Sequence, residues 1–225
     1  MDFSRVQLSD DDRKFQDDVR AFLSEIVTED VIRRDRETGD NFDEGVHLAL
    51  GAAGYLEREW KPDSDRAFTR VQRRIWELEK RRAHVPWVTS GTTAMIARSV
   101  EKFASPELRA EVLPRVYSGH VRMCLGYTEP EGGSDVATCK TRAVRDGDGW
   151  IINGTKIWTS GAHENDWFVC LLRTSPMEDG NKHAGLSQLL IDLKSPGLEI
   201  SPIPFLDGSH HFNEVTFNEV FVPDT

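Results

Sequence analysis

Long apolar runs are missing from this chain. No stretch approaches the roughly 20 residues that a membrane-spanning helix needs. The first residues, Met1-Asp2-Phe3-Ser4-Arg5, lack the apolar centre of a secretory signal. Cysteine is scarce: Cys124, Cys139 and Cys170 are the three in 225 residues. None of their spacings suits a metal cage or a redox pair. That argues against a disulfide framework and for reduced, partly buried thiols in a cytoplasmic protein. Basic charge is also short, with 28 Lys and Arg against 38 Asp and Glu, a net charge of −10. A nucleic-acid binder held by phosphate contacts is therefore not expected. A local anion site is still allowed, since backbone N–H groups can build one on an acidic protein.

Two textures are present. The first 120 residues read as helix. Ser9 is a suitable N-cap with Asp12 three residues on, and Phe15, Val19, Phe22, Leu23 and Ile26 follow at helical spacing. Weaker helical text covers residues 43–53, ended by Gly54. Val71, Ile75 and Leu78 mark another helix, and Ile96, Val100 and Phe103 a further one. Ser105-Pro106 opens a last helix, in which Pro114 predicts a kink or an early end and Gly119 a stop. Beyond residue 120 the text turns to strands: 121–128, 139–145, 150–152, 156–159, 167–172, 186–193 and 215–222. Asp146-Gly147-Asp148-Gly149 predicts a turn. Asn153-Gly154 predicts a hairpin, with 156–159 as its return strand. The expected class is α+β: a helical domain at 1–120, then a mainly antiparallel, barrel-like β domain at 121–225.

Two segments carry the chemical signal. Residues 124–135 read Cys-Leu-Gly-Tyr-Thr-Glu-Pro-Glu-Gly-Gly-Ser-Asp. Here Gly132 and Gly133 let backbone approach a ligand, and Thr128 and Ser134 add hydroxyls. By composition alone such a stretch is more often a plain loop. Residues 153–162 read Asn-Gly-Thr-Lys-Ile-Trp-Thr-Ser-Gly-Ala. Trp158 can offer a flat face to an aromatic ring and Ser160 a hydroxyl to its edge. The plainer alternative is a core tryptophan in a sheet.

Together the segments resemble the acyl-CoA dehydrogenase family. Its T-E-P-x-x-G-S-D form is met at 128–135, and its N-G-x-K-x-W-[IT]-[TS] form at 153–160. The resemblance extends over the whole chain, and 218–223 resembles the strand leaving the family's middle domain. It implies FAD as cofactor. Leu125, Gly126, Tyr127 and Thr128 would bind the pyrimidine side of the flavin. Gly133 and Ser134 would lie by the pyrophosphate, with Ser134 also at the acyl-CoA entrance. Trp158 would pack on the isoalloxazine. Ser160, threonine in most of the family, would hydrogen-bond near flavin N5, and Thr159 would contribute through its backbone.

The implied reaction is α,β-dehydrogenation of an acyl-CoA thioester, in fatty acid and lipid metabolism. A carboxylate takes the α-proton and the β-hydrogen leaves as hydride to flavin N5. The resemblance places that carboxylate in a carboxy-terminal helical domain absent from these 225 residues, so no catalytic base is assigned. A fragment of a longer protein is the favoured reading, with a subunit that works beside a partner, or a non-catalytic flavin-binding or assembly subunit, as alternatives. A same-fold flavin oxidase or monooxygenase is a further one. An electron-transfer flavoprotein or similar acceptor, and a homodimer or homotetramer, are implied as partners.

Remaining features read more plainly. Glu129 and Asp135 are expected to order the turn through backbone hydrogen bonds. His163, His210 and His211 lack a third metal ligand at useful spacing and read as exposed loop histidines. Arg73, Arg74, Arg81 and Arg82, with Glu77 and Glu79, read as a solvated helix face. Met95 and Ile96 are candidates for an acyl channel. Residues 60–65, Trp-Lys-Pro-Asp-Ser-Asp, lack the glycine pair common there in the family, which points to an unusual or bulky acyl group.

Overall fold

The computed structural model describes residues 7–86, 90–206 and 208–224, with the backbone alone for Ser90. The reading of residues 1–5 thus lies outside the described residues. The chain groups into two compact units, one of Met1–Val88 with Tyr117–Gly119, the other of Thr89–Val116 with His120–Thr225. No helix among the described residues is long and apolar enough to cross a membrane.

The first unit is helical. Ser9 caps α1 (Asp10–Ile26) by accepting the Asp12 N–H at 3.1 Å, and three aspartates in the first turn suit the positive end of the helix. Phe15, Val19 and Leu23 are buried along one stripe. Each contributes about 1.5–3 kcal/mol over an exposed position. Short helices α2 (Glu29–Thr38), α3 (Glu44–Ala52) and α4 (Tyr55–Trp60) follow. Gly39 and Gly54 supply left-handed φ values of 72° and 76° where α2 stops and α4 starts.

The last helix of this unit, α5 (Arg70–Arg82), opens on a Thr69–Gln72 capping box. It is turned differently from the expected stripe. Trp76 is fully buried and stacks on Tyr55 with ring centres 4.6 Å apart, while Val71 and Leu78 are exposed. The expected solvated face is also only partly so. Arg74 pairs with Glu77 at the surface, but Glu79 and Lys80 are buried. Glu79 accepts from Arg20 at 2.9 Å and Gln16 at 2.8 Å; Lys80 reaches Glu59 at 2.7 Å, and Trp76 donates to the other oxygen of Glu59. An apolar count by position cannot see this, because tryptophan and paired charges took the core side.

The second unit joins two helices to the sheet. Ile96 and Val100 of α6 (Ser90–Phe103) are buried, and Phe103 is exposed. Ser105 caps α7 (Pro106–Tyr117) by accepting the Leu108 N–H at 3.1 Å. The expected shortening at Pro114 does not occur. The helix runs on to Tyr117, with Val112, Leu113 and Val116 buried around the one lost N–H bond.

Seven strands form one curled, mixed sheet: β1 (Met123–Gly126), β2 (Arg142–Asp146), β3 (Gly149–Ser160), β4 (Trp167–Arg173), β5 (Leu186–Asp192), β6 (Leu198–Pro204) and β7 (His210–Pro223). Their order is β1-β4-β2-β3-β7-β6, with β5 also on β4. The parallel pairings among the described residues are those of β4 with β1 and, at one residue pair, with β2. No α-helix follows α7 among the described residues. The interior holds Cys124, Ile152, Phe168, Cys170, Leu172, Ile191, Val215 and Phe217. All three cysteines are free and buried. Strand β6 carries Pro202 and Pro204, which hid it from a strand reading. It is tolerated because β6 ends the sheet order, bonded to β7.

The hairpin signal at Asn153-Gly154 misleads. β3 runs straight through it from Gly149 to Ser160, and the reversal lies one turn earlier, at Asp146↔Gly149, where Gly147 has φ 56°. Gly154 serves a bulge instead. Its φ is 145°, and an added Cβ would stand 2.7 Å from the Thr141 backbone. The Asn153 side chain accepts the Glu219 N–H at 3.0 Å. Both residues are spent on packing β3 against its neighbours, so none is left to turn the chain.

Candidate active site

Both motif segments lie in the second unit, and hydrogen bonds join them directly. The N–H of Ile157 donates to the carbonyl of Thr128 at 2.9 Å. The ammonium of Lys156 reaches the carbonyl of Tyr127 at 3.3 Å and the carboxylate of Glu129 at 2.8 Å. Lys156 is fully buried and Glu129 nearly so. Glu129 also accepts the N–H groups of Lys140 at 2.7 Å and Thr141 at 2.9 Å, and the Cys139 thiol at 3.1 Å. Burial alone would push its carboxyl pKa up. Hydrogen bonds from Lys156, Thr141 and Lys140 outweigh that and hold it at about 2. Burial raises the Cys139 thiol, which stays protonated beside this pair.

Beyond Glu129 the chain closes a tight turn. Glu129 and Gly132 exchange backbone hydrogen bonds of 2.9 and 3.1 Å. Gly133 and Ser134 follow on the exposed rim. An added Cβ at Gly133 would meet nothing nearer than 3.8 Å, so its backbone is open to a visitor. Asp135 ends the turn by accepting the Ala137 N–H at 3.3 Å and pairing with Lys182 at 2.7 Å. The backbone-ordering roles of Glu129 and Asp135 are thus visible as bonds.

The second segment is shaped by a bulge. The β3–β7 register slips between Lys156 and Thr159, and Trp158 in the slip takes a left-handed φ of 60°. For a bulky residue that conformation is strained by about 1–3 kcal/mol. The result is an indole turned outward: Trp158 is 52 % exposed, with only an edge contact to Phe212 at 5.8 Å. Thr159 is buried, and Ser160 after it is half-buried. Trp158 is therefore no core residue.

Of the residues singled out from sequence, Thr128 is tied to the residue before Trp158 by the Ile157–Thr128 bond, and Ser160 lies three residues beyond that bond along β3. Gly126 is buried, and an added Cβ would strike the Phe168 ring, so only its backbone could serve a ligand. Leu125 and Tyr127 turn their side chains into a cavity of about 260 Å³, lined also by Met95, Ser99, Val169 and Leu190. Gln188 donates to the Tyr127 hydroxyl at 2.6 Å at its wall. Gly133 and Ser134 are not held by any of the bonds that join the two motifs. Among the described residues no cluster of His, Cys, Asp and Glu could hold a metal.

Sequence reasoning missed Asn213, His163 and His210. The histidines are exposed as expected, His163 in a single 3-10 turn at 162–164 and His210 at the start of β7, but they are not loose. Their rings stack 3.9 Å apart, and both hydrogen-bond the fully buried Asn213. The signal available was the alternation of Asn213 with Val215 and Phe217, which puts Asn213 on the buried side of its strand.

The parts fit a flavin dinucleotide. An outward indole with a hydroxyl two residues on suits a flat ring with a polar edge. The open glycine turn suits a diphosphate served by backbone, since its acidic neighbours Glu131 and Asp135 are neutralised by Lys140 and Lys182.

Residues 9–120 match the model of the acyl-CoA dehydrogenase N-terminal domain, and residues 124–220 that of the acyl-CoA dehydrogenase middle domain. Acyl-CoA dehydrogenase FadE29 of Mycobacterium tuberculosis is 34 % identical over 222 residues, 97 % of this chain and 56 % of the relative. Acyl-CoA dehydrogenase IpdE1 of the same organism is 37 % identical over 172 residues, 76 % of this chain and 44 % of the relative. The solved structure of the Tcur3481-Tcur3483 steroid ACAD, G363A variant, superposes with a TM-score of 0.81 at 30 % identity, covering 95 % of this chain and 56 % of its own. The ChsE4-ChsE5 complex from Mycobacterium tuberculosis superposes at 0.79 with 25 % identity, covering 98 % and 56 %. The chain spans about half the length of these relatives. With both domain models matched in order along its length, this chain belongs to the acyl-CoA dehydrogenase family.

Proposed function

We propose that this chain supplies the flavin-binding face and part of the acyl pocket of an FAD-dependent acyl-CoA dehydrogenase. The observation that carries this reading is the bulge that leaves the Trp158 indole half exposed, one residue past the Ile157–Thr128 bond that joins the two motifs. When bound, FAD supplies the hydride acceptor. The chain's own part is to bind and aim it. Trp158 gives the isoalloxazine a face to lie on, Ser160 and the Thr159 backbone a polar edge, and residues 125–128 donors and acceptors for the pyrimidine side. Gly133 and Ser134 lie by the diphosphate, with Ser134 also at the acyl-CoA entrance. The division at residue 120 into a helical and a β domain is retained in this reading.

The α-proton goes to a base that we assign outside these 225 residues. In support, the acidic groups nearest the motifs are already engaged, Glu129 by Lys156 and Asp135 by Lys182. The alternative of a flavin-binding subunit working with a partner chain is supported by the relatives whose names join two components, Tcur3481-Tcur3483 and ChsE4-ChsE5. The other implied features, an electron-transfer flavoprotein as acceptor, a homodimer or homotetramer and a cytoplasmic setting, are carried as part of the same proposal.

The acyl group we assign is bulky and ring-bearing. The cavity of about 260 Å³ beside Leu125 and Tyr127 is walled mainly by apolar side chains, with polar groups at Ser99, Gln188 and the Tyr127 hydroxyl. It is at the small end for a ligand pocket, so it takes the acyl end and not the whole thioester. Similarity to a protein named as a steroid ACAD supports the same class.

The test uses the purified chain. FAD added to it should lose fluorescence with saturation and raise the unfolding midpoint; at 100 times Kd the gain is about 2.7 kcal/mol. A panel of acyl-CoAs is then titrated against the yellow protein. Perturbation of the flavin spectrum at lower concentration by a steroid-side-chain CoA than by octanoyl-CoA supports the ring-bearing substrate. No FAD binding at all defeats the reading. Because the base is assigned outside the chain, binding without bleaching is the expected result, and bleaching by any acyl-CoA defeats that assignment.

A further inference from the structure

Trp158 holds a conformation that a free strand would not keep, so something must fix the segment on its carboxyl side. The register pairs Thr159 with Asn213 and Ser160 with Phe212. Asn213 is fully buried, and its amide nitrogen donates to the carbonyl of Thr159 at 3.1 Å. A carbonyl only accepts, so the nitrogen of the Asn213 amide must be the atom facing it. Its second hydrogen then points at Nδ1 of His163, 3.0 Å away, which must present a lone pair. The amide oxygen faces Nε2 of His210 at 2.8 Å, which must carry a proton. One backbone carbonyl thus dictates the amide's direction and the tautomers of two stacked imidazoles. The next residue is tied as well, by the Gly161 N–H on the carbonyl of His211 at 2.9 Å.

We infer that Asn213 is a positioning residue for the flavin face, with His163 and His210 holding its amide in the one direction that grips Thr159. The inference rests on the proposed flavin reading for its purpose, but its geometry does not. Asn213 touches no part of the open face. It acts by anchoring the Thr159 carbonyl, the first one past the strained residue, so that the Trp158 indole keeps its outward position.

The test separates this from plain stability. Near-ultraviolet circular dichroism of the chain minus that of Trp158→Phe isolates the Trp158 signal without any flavin. Asn213→Leu should abolish that signal and weaken FAD binding about tenfold, the loss of one buried hydrogen bond. In a Trp158→Ala background the same change should weaken binding no further, because its effect passes through the indole. His163→Gln keeps an acceptor and His210→Gln a donor, so both should retain the signal, whereas His163→Leu and His210→Leu should lose it. These four variants decide the matter if Asn213→Leu does not fold. An unchanged Trp158 signal in Asn213→Leu, or full additivity with Trp158→Ala, overturns the inference. If the parent chain binds no FAD yet Asn213→Leu erases the Trp158 signal, the flavin reading falls and the positioning role stands.

Discussion

Lys156 and Glu129 meet 2.8 Å apart in the interior, twenty-seven positions distant in sequence, and so lock the two motifs to each other. The ammonium is completely buried and the carboxylate side chain 8 % exposed. Such a pair is worth little against a well-packed apolar pair, but breaking it on one side is costly. Lys156→Met should destabilise the chain by about 3–5 kcal/mol in urea unfolding. Glu129→Gln should cost less, since an amide oxygen can still accept from Thr141 or Lys140. The double change Lys156→Met with Glu129→Gln should recover part of the loss, and strict additivity would show that the two side chains act separately.

The same carboxylate sets an acid limit. Its folded pKa, about 2, lies below the ordinary 4.5. A depressed carboxyl contributes stability that is whole above the unfolded value and drains away as pH falls through the folded one. Stability should therefore decline from about pH 5 toward pH 2. Glu129→Gln should flatten that part of the curve. Chemical denaturation at half-unit pH steps reads both profiles, and identical slopes would remove Glu129 from the account.

Trp158→Ala should leave stability nearly unchanged, because the indole is half exposed and alanine meets the same left-handed backbone penalty as tryptophan. It should weaken FAD by roughly 5- to 150-fold, the equivalent of about 1–3 kcal/mol for stacking against an aromatic base. Fluorescence titration and thermal melts on the same samples distinguish the two effects. A large melting shift with unaltered affinity would return Trp158 to a purely architectural role.

Gly154→Ala should destabilise the second unit by about 1–3 kcal/mol. The φ of 145° suits only glycine, and the new Cβ would sit 2.6 Å from the Thr141 hydroxyl oxygen and 2.7 Å from its Cα. A shift of less than about 0.5 kcal/mol would contradict the bulge.

Much of this architecture is written in periodicity and caps. Ser9, Asp43 and Ser105 announce α1, α3 and α7, and each is seen capping. The motif text places Thr128, Trp158 and Ser160 in a common region before any backbone is drawn. What the sequence hides is decided by contacts far along the chain. Asn153-Gly154 has turn chemistry, but Thr141 and Glu219 claim both residues for a bulge. Val71 and Leu78 look like a core stripe until Trp76 takes the interior and a stack with Tyr55. His163 and His210 are 47 positions apart, and only the β3–β7 register brings them face to face across Asn213.

The two prolines of β6 have a consequence for how the sheet stops. A proline paired on one side must turn its ring nitrogen to the other, so positions 202 and 204 offer no N–H to an incoming chain. An extended segment from a neighbouring molecule would find two missing donors along that border. The curled sheet is thereby closed to growth at its β6 rim without being closed into a cylinder, which protects a newly made chain from sticking to its copies.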